Sequence, residues 1–517
     1  MANFLKKHAI LLILVGIILL GLLIRLYKLT EIPSGFFCDE ASIGYNAYTI
    51  LNYGTDEYGK SFPFFFQAFG DYKSPVQIYS TVPFIKIFGL SEFSTRLPSS
   101  IYGILSIIAI YLLAKELFRN QKHSSWIGIF SALLLTISPW HIHFSRIAFE
   151  MMPFTVFSVF GLYFLLKAQK NKYFLFLSIT SFVVAIYSYF PARIFIPLLG
   201  LGFFCIYYKF FWQNKKETFL SLILLITLLI PFIFHSLSPV GLSRWQQINI
   251  FTQPPNDETV SQHIIDNYFS HFSVDFLFTK GDIGMPGQFL TRHSVKGIGE
   301  LYFFQFPLII LGLIFIIKKK IDKPTTALLL WLILYPVGSM LTIDKSAQAT
   351  RSIIGIIPLT IISALGLYYL TISILKIKKI LTYSSMLIVF IIILISFLNY
   401  LNIFFTKYTS YSSDFWGWQY GAKDIVKYFS TKEPYYDQLI MAPEFNAPEI
   451  FFKFYEPKDC LKCKVGLPDT NLDFSLKQLF AVTPNYLQIH SSYNLKILKT
   501  IYYPNGKIAF LIGEIVQ

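Results

Sequence analysis

Phe36-Phe37-Cys38-Asp39-Glu40-Ala41-Ser42-Ile43-Gly44-Tyr45-Asn46 sets two adjacent carboxylates a few residues past a long apolar segment. Only 14% of the residues are charged, so an Asp-Glu pair at a membrane boundary needs a reason. One reason is capping. A helix starting near Ala41 would draw a carboxylate to its positive end. The other is chemistry, with a general base facing the outer membrane surface. A capping carboxylate can also be catalytic, so the surrounding chain has to decide.

The surroundings are those of a membrane protein. Of 517 residues, 54% are hydrophobic and 18% aromatic, a composition that excludes an ordinary soluble domain. The net charge of +15 does not indicate nucleic acid, because the basic residues recur between apolar segments and form no compact basic domain. The four cysteines, Cys38, Cys205, Cys460 and Cys463, are too few and too scattered for a disulfide scaffold.

The first apolar segment runs over about 9–23, behind Lys6 and Lys7. No small-x-small cleavage site follows it, so it reads as an uncleaved anchor, not a signal peptide. Ten further spans are expected at about 98–114, 126–140, 153–166, 173–190, 194–208, 218–236, 302–317, 325–342, 352–375 and 380–405. Each is near the length a bilayer needs, which makes about eleven transmembrane helices. Every second connection is a short basic cluster, such as Lys167-Lys170-Lys172 or Lys209-Lys215-Lys216. The positive-inside rule assigns these to the cytoplasm, with the N-terminus inside and the C-terminus outside. They read as topology signals.

Residues 1–405 are thus expected to form a membrane domain with a long first outer loop, about 28–96. Residues 406–517 are expected to form a small extracytoplasmic α/β domain. There, Trp418 to Phe429 reads as helix, and Gln438 to Met441 and Tyr486 to Ile489 as short strands. Pro504-Asn505-Gly506 is a hairpin signal, because Asn-Gly supplies the positive φ of a tight turn. Cys460 and Cys463 suit a local disulfide better than half a zinc site. The fold class is a mostly α, polytopic membrane protein with a small C-terminal α/β unit.

Polar groups gather in the outer segments. The first loop holds Asp56-Glu57, which read as solvated turn acids. It also holds Gly70-Asp71-Tyr72-Lys73-Ser74-Pro75 and, entering the second span, Arg96-Leu97-Pro98. Later come Ser138-Pro139-Trp140-His141-Ile142-His143-Phe144-Ser145-Arg146, then His271 to Phe278, and Arg292-His293-Ser294. Together these motifs resemble the GT-C-fold, polyprenyl-phosphate-sugar-dependent membrane glycosyltransferases. More narrowly they resemble glycosyltransferase family 39, with its protein O-mannosyltransferases and lipid A aminoarabinose transferases. The resemblance covers about residues 1–400. Where relatives often carry Lys-Pro-Pro, this chain has Lys73-Ser74-Pro75.

The resemblance implies transfer of a sugar from a polyprenyl phosphate, with inversion, to a protein, lipid or glycan acceptor on the outer face of the plasma membrane. Asp39 would be the base, and Glu40 would shape the site or bind acceptor or metal. The leaving lipid phosphate needs a cation, for which Lys73, Arg292, Arg146, Lys345 and Arg351 are candidates. Asp71, Tyr72, His293 and Arg96 complete the candidate site. No organic cofactor is called for. The spacing leaves open a divalent metal shared by Glu40 or Asp71 with His271 or His293. His141 and His143, two residues apart, project about 200° apart on a helix, and read as backbone-bonded interface histidines. A transporter or flippase for a lipid-linked intermediate is the competing class, and an envelope protein whose outer domain binds partners is a third. A transporter is expected to bury charges deep within its spans and to show repeat symmetry. Here the charges collect in outer loops, which favours the enzyme.

Overall fold

The computed structural model describes residues 2–255, 258–282, 292–319, 321–375, 379–457, 460–491 and 493–516. Its first half is a run of helices: α1 (Ala2–Leu26), α2 (Cys38–Tyr53), α3 (Pro75–Phe88), α4 (Glu92–Leu117), α5 (Ser124–Ile137), α6 (Pro139–Phe144), α7 (Met151–Ala168), α8 (Phe174–Ile186), α9 (Ala192–Gln213), α10 (Lys215–Leu237) and α11 (Ser243–Ile248). Further apolar helices follow at Gln305–Lys318, Lys323–Leu334, Ile356–Ile374 and Lys379–Thr406. Among the described residues, seven helices are long and apolar enough to cross a membrane, and three shorter apolar ones accompany them. The chain is a multi-pass integral membrane protein.

Three expected spans end early, that at 173–190 stopping at Ile186, and two of them for evident local reasons. The span placed at 126–140 stops at Ile137, because Ser138-Pro139 turns the chain into the separate helix α6. The span placed at 325–342 stops at Leu334, ahead of Pro336, which has no N–H to continue the ladder. Burial orders the bundle. The helical stretch Ala349–Ile374 is 89% buried over its apolar window, while α10 is 6% buried over its own. The first is the bundle's centre and the second part of its lipid-facing wall.

The loop between α1 and α2 is held by two buried arginines. Arg146, just past α6, donates to the carbonyls of Ile24 and Arg25 at 2.6 and 3.1 Å, and to those of Lys28 and Ile32 at 3.0 and 2.8 Å. The last carbonyls of a helix have no partner within it, and here a side chain from a distant part of the chain supplies one. Arg96 of α4 donates to the carbonyls of Leu29, Pro33 and Gly35. It also grips Glu40 through two parallel bonds, Nε to Oε1 at 2.8 Å and Nη2 to Oε2 at 2.9 Å. The Glu40 carboxylate accepts two more bonds, from the N–H of Phe37 and of Ala148.

A short hairpin, β1 (Phe66–Ala68) and β2 (Asp71–Lys73), follows α2 and pairs Phe66 with Lys73. Its two-residue turn, Phe69-Gly70, has both φ positive, at 54° and 77°, as a tight hairpin matched to strand twist needs.

The C-terminal unit carries a five-stranded sheet of β3 (Gln438–Met441), β4 (Cys463–Val465), β5 (Gln478–Val482), β6 (Asn494–Tyr502) and β7 (Ile508–Val516), in the order β4-β3-β5-β7-β6. The β6–β7 hairpin turns at Gly506, with φ 82°. Cys460 and Cys463 are disulfide-bonded. Residues 486–489, expected as strand, lie in a helix, Pro484–Ile489. Thr483 caps that helix by accepting from Tyr486 N–H, and Pro484 occupies its first position, where no N–H is missed. The unit sits on the first loop. Phe454 packs on Phe36 with ring centroids 4.8 Å apart, and Lys453 pairs with Glu57 at 3.0 Å. Gly44 permits the approach, since a Cβ there would lie 2.5 Å from the Phe454 ring.

Replacing Arg96 by Met strands a buried carboxylate, which costs about 3–5 kcal/mol. Thermal unfolding in detergent should shift down accordingly, and removing both charges, Glu40→Met with Arg96→Met, should recover much of the loss. Unchanged unfolding of Arg96→Met would show that the pair does not tie the loop.

Candidate active site

A cavity of about 470 Å³ opens at the end of the bundle beneath the C-terminal unit. The first turn of α2 supplies Asp39, and β2 supplies Asp71, Tyr72 and Lys73. Glu150 enters from the residue that precedes α7, and Arg244 from α11. Arg292, His293 and Arg351 close the far wall, and Asn446 reaches in from the soluble unit. Seven of the eleven residues expected at the site from the sequence therefore share this cavity: Asp39, Asp71, Tyr72, Lys73, Arg292, His293 and Arg351.

The other four lie elsewhere. Glu40 is fully buried against Arg96 and does not line this cavity. Arg96 is equally buried and spends its donors on Glu40 and three carbonyls. Arg146 is buried, gives its two terminal nitrogens to four carbonyls, and does not line the cavity. Lys345 is exposed and does not line the cavity. His141 and His143 are buried, not interfacial. One bonds to the Arg25 guanidinium at 2.6 Å, the other to the Arg292 carbonyl at 2.7 Å.

Asp39 and Lys73 form an ion pair at 2.7 Å, with 37% of the Asp39 side chain exposed to the cavity. Burial pushes the Asp39 carboxyl up, but Lys73, with Arg292 and Arg244 behind it, holds it below its ordinary value. Asp39 is therefore ionised at neutral pH. Lys73 is raised, because Asp39 and Glu150 outweigh the burial that would lower it. Its ammonium also lies 5.6 Å from the Phe69 ring of the hairpin turn.

Arg292 stacks over Phe37, its guanidinium carbon 3.8 Å from the ring centroid, and has no acidic ion-pair partner among the described residues. It donates through Nε to His293 Nε2 at 3.2 Å. Burial lowers His293, and Asp282 at 3.4 Å only partly offsets this. Its main chain is pinned as well: the Arg292 carbonyl accepts from Tyr408 Oη at 3.0 Å. The other cavity cations are engaged, Arg244 with Asp71 at 3.3 Å and Arg351 with Asp344 and Thr342. Arg292 is thus the cavity cation with charge to spare.

Glu150 and Arg244 are site residues that the sequence reading missed. A lone acid at the mouth of an apolar span, in Ala148-Phe149-Glu150-Met151-Met152, was the available signal for the first. Glu150 also explains the departure at Ser74. The Ser74 N–H donates to Glu150 Oε1 at 2.5 Å, and a proline in that place would have no N–H to give. Among the described residues no three His, Cys, Asp or Glu side chains converge as a metal site would need. Asp39, Asp71 and Glu150 each face a cation instead, and His271 bonds to the Asn267 carbonyl away from them.

Burial pushes the Glu150 carboxyl up to about 7, against the downward pull of Lys73 and the Ser74 N–H. A raised carboxyl pKa contributes stability that is whole below its ordinary value of 4.5 and is lost as pH rises through about 7. Thermal unfolding between pH 5 and pH 8 should therefore fall more steeply with pH in the wild type than in Glu150→Gln. Equal slopes would place the Glu150 proton elsewhere.

Comparisons with known proteins agree with this architecture. Residues 72–235 match the family described as dolichyl-phosphate-mannose-protein mannosyltransferase. No curated protein sequence matches the chain. Among solved structures, ArnT from Cupriavidus metallidurans bound to undecaprenyl phosphate superposes with a TM-score of 0.58 at 12% identity, covering 97% of each chain. The Archaeoglobus fulgidus oligosaccharyltransferase tethered to an acceptor peptide gives 0.57 at 13% identity, covering 98% of this chain and 74% of its own. The same archaeal enzyme, AglB, with an inhibitory peptide and a dolichol-phosphate gives 0.54 at 13% identity, with 98% and 74% coverage. The chain has the GT-C fold of membrane glycosyltransferases and is related, through the segment that carries Lys73 and Glu150, to glycosyltransferase family 39.

Proposed function

We propose that the chain is an inverting glycosyltransferase that takes a sugar from a polyprenyl phosphate on the outer face of the plasma membrane. The observation that carries this reading is the ionised Asp39 carboxylate on the cavity wall, held by Lys73 and facing the spare charge of Arg292. The acceptor nucleophile attacks the anomeric carbon as the bond from that carbon to the phosphate oxygen breaks. The acceptor's proton passes to Asp39, and the leaving phosphate keeps the bonding electron pair. Its growing charge is met by Arg292, with Arg351 and Arg244 on the same wall. Lys73 positions Asp39 and adds a point charge near the donor. The low pKa of Asp39 is compatible with this role, because the acceptor's proton becomes acidic only as its bond to the sugar forms. General-base assistance of this kind is worth about 10²–10⁴ in rate.

The lipid-phosphate donor is supported by the undecaprenyl phosphate and dolichol-phosphate bound in the two structural relatives, and a peptide acceptor by the peptide tethered in one of them. The outer-face placement rests on the basic turns at the opposite end of the bundle.

Purified protein given a panel of polyprenyl-phosphate sugars should release polyprenyl phosphate with at least one of them. A flippase would move the lipid without releasing it. Arg292→Met should weaken donor binding about tenfold to a hundredfold, the loss of a charge-assisted hydrogen bond, while acceptor affinity holds. Donor affinity unchanged in Arg292→Met would move the phosphate to Arg244 or Arg351.

A further inference from the structure

A second hollow, of about 710 Å³, lies at the other end of the bundle and is lined by Lys170, Lys172, Lys209 and Lys323. Helix α7 spans the distance between the two sites. Met151 at its start lines the first cavity, and Ala168 at its end lines the second. Its 18 residues rise about 27 Å, close to the hydrocarbon thickness of a bilayer. The hollow therefore sits at the opposite membrane surface. Three separate chain segments build it: the α7–α8 turn, the α9–α10 turn and the start of the Lys323–Leu334 helix. Helix α9 bends at Tyr207, where φ is −109° and ψ 20°, just before the turn of chain that carries Lys209.

The lysines are not equivalent. Lys170 shares Glu116 with Lys167 and Arg119, and Lys172 pairs with Glu217 at 2.5 Å. Asp322 Oδ1 accepts from the N–H and the hydroxyl of Thr325, and neither Lys209 nor Lys323 is within ion-pair distance of that carboxylate. Lys209 and Lys323 have no acidic partner among the described residues and lie only against the Tyr208 and Tyr207 rings. The hollow thus encloses uncompensated positive charge. A topology signal needs basic residues in water near a span. It does not need them converged from three segments around a cavity.

The neighbourhood supplies the other half of a lipid site. Tyr173, Tyr208 and Trp212 are exposed around the hollow, as aromatic rings at headgroup depth are. Beside it Phe204 of α9 and Phe219 of α10 present bare apolar surface, so acyl chains can lie along the wall while a headgroup enters the hollow. We propose that this hollow binds the phosphate of an anionic membrane lipid, with Lys209 and Lys323 contacting it.

The test is native mass spectrometry of the full chain released from bilayers of equal phosphatidylglycerol and phosphatidylcholine. The wild type should retain phosphatidylglycerol in preference. Lys209→Gln with Lys323→Gln should reduce that retention on the order of tenfold to thirtyfold. Lys209→Arg with Lys323→Arg should keep it, as should Lys115→Gln with Lys122→Gln, which removes equal charge from the same face outside the hollow. No preference in the wild type would overturn the proposal, as would undiminished retention in the Gln pair or an equal loss in the Lys115/Lys122 control. Tight binding of inorganic phosphate by lipid-free protein in detergent would overturn a lipid as the ligand. Should the Gln pair fail to fold, the wild-type preference and the phosphate arm still decide the matter.

Discussion

The buried pair of Glu40 and Arg96 is the contact on which the candidate site depends. Neither side chain is exposed to solvent. Together they join the loop after α1, the first turn of α2, the start of α4 and the backbone at Ala148. Ala148 lies two residues before Glu150, and Asp39 precedes Glu40 directly. One ion pair thus fixes the spacing between the two carboxylates that face Lys73. Two charges buried together gain little net stability over apolar residues of like size. What they supply here is position, because the bidentate geometry and the carbonyls around Arg96 admit few other arrangements.

The division of labour between Asp39 and Glu40 follows from helix geometry. Successive residues on a helix project about 100° apart, so two adjacent acids in one turn cannot share an environment. In α2 one faces the core and caps the helix by accepting from Phe37 N–H, and the other faces the cavity. The capping reading of the sequence belongs to Glu40, and the proposed chemistry to Asp39. The C-terminal unit adds a second restraint from above. Gln419 accepts from the N–H of Cys38, and Phe454 packs against Phe36, so the start of α2 is held from both sides.

The helical segments of the bundle were largely legible in the sequence, because hydropathy is a local property. So was the grouping of Asp39, Asp71, Lys73 and Arg292, since polar residues in the long connections stand out against an apolar chain. The roles of Arg96 and Arg146 were not. A motif arginine buried under backbone carbonyls and one facing a cavity look alike until tertiary packing separates them. Glu150 was missed because a single acid among apolar residues carries no spacing pattern, and Arg244 because its partner Asp71 lies far away along the chain. The helix at 484–489 was misread for a different reason. Its six residues are too few for periodicity to tell helix from strand.

The most direct measurement is the transfer rate of Asp39→Asn and of Glu40→Gln, taken beside the thermal unfolding of each protein. Asp39→Asn cannot accept a proton, yet the cavity wall remains. It should lose about 10²–10⁴ in transfer while unfolding near the wild-type temperature. Glu40→Gln loses a buried charge opposite Arg96 and should unfold earlier, its surviving folded fraction keeping transfer within about tenfold of wild type. Normal turnover in Asp39→Asn, or a large loss of turnover in a fully stable Glu40→Gln, would contradict the assignment of chemistry to Asp39 and structure to Glu40.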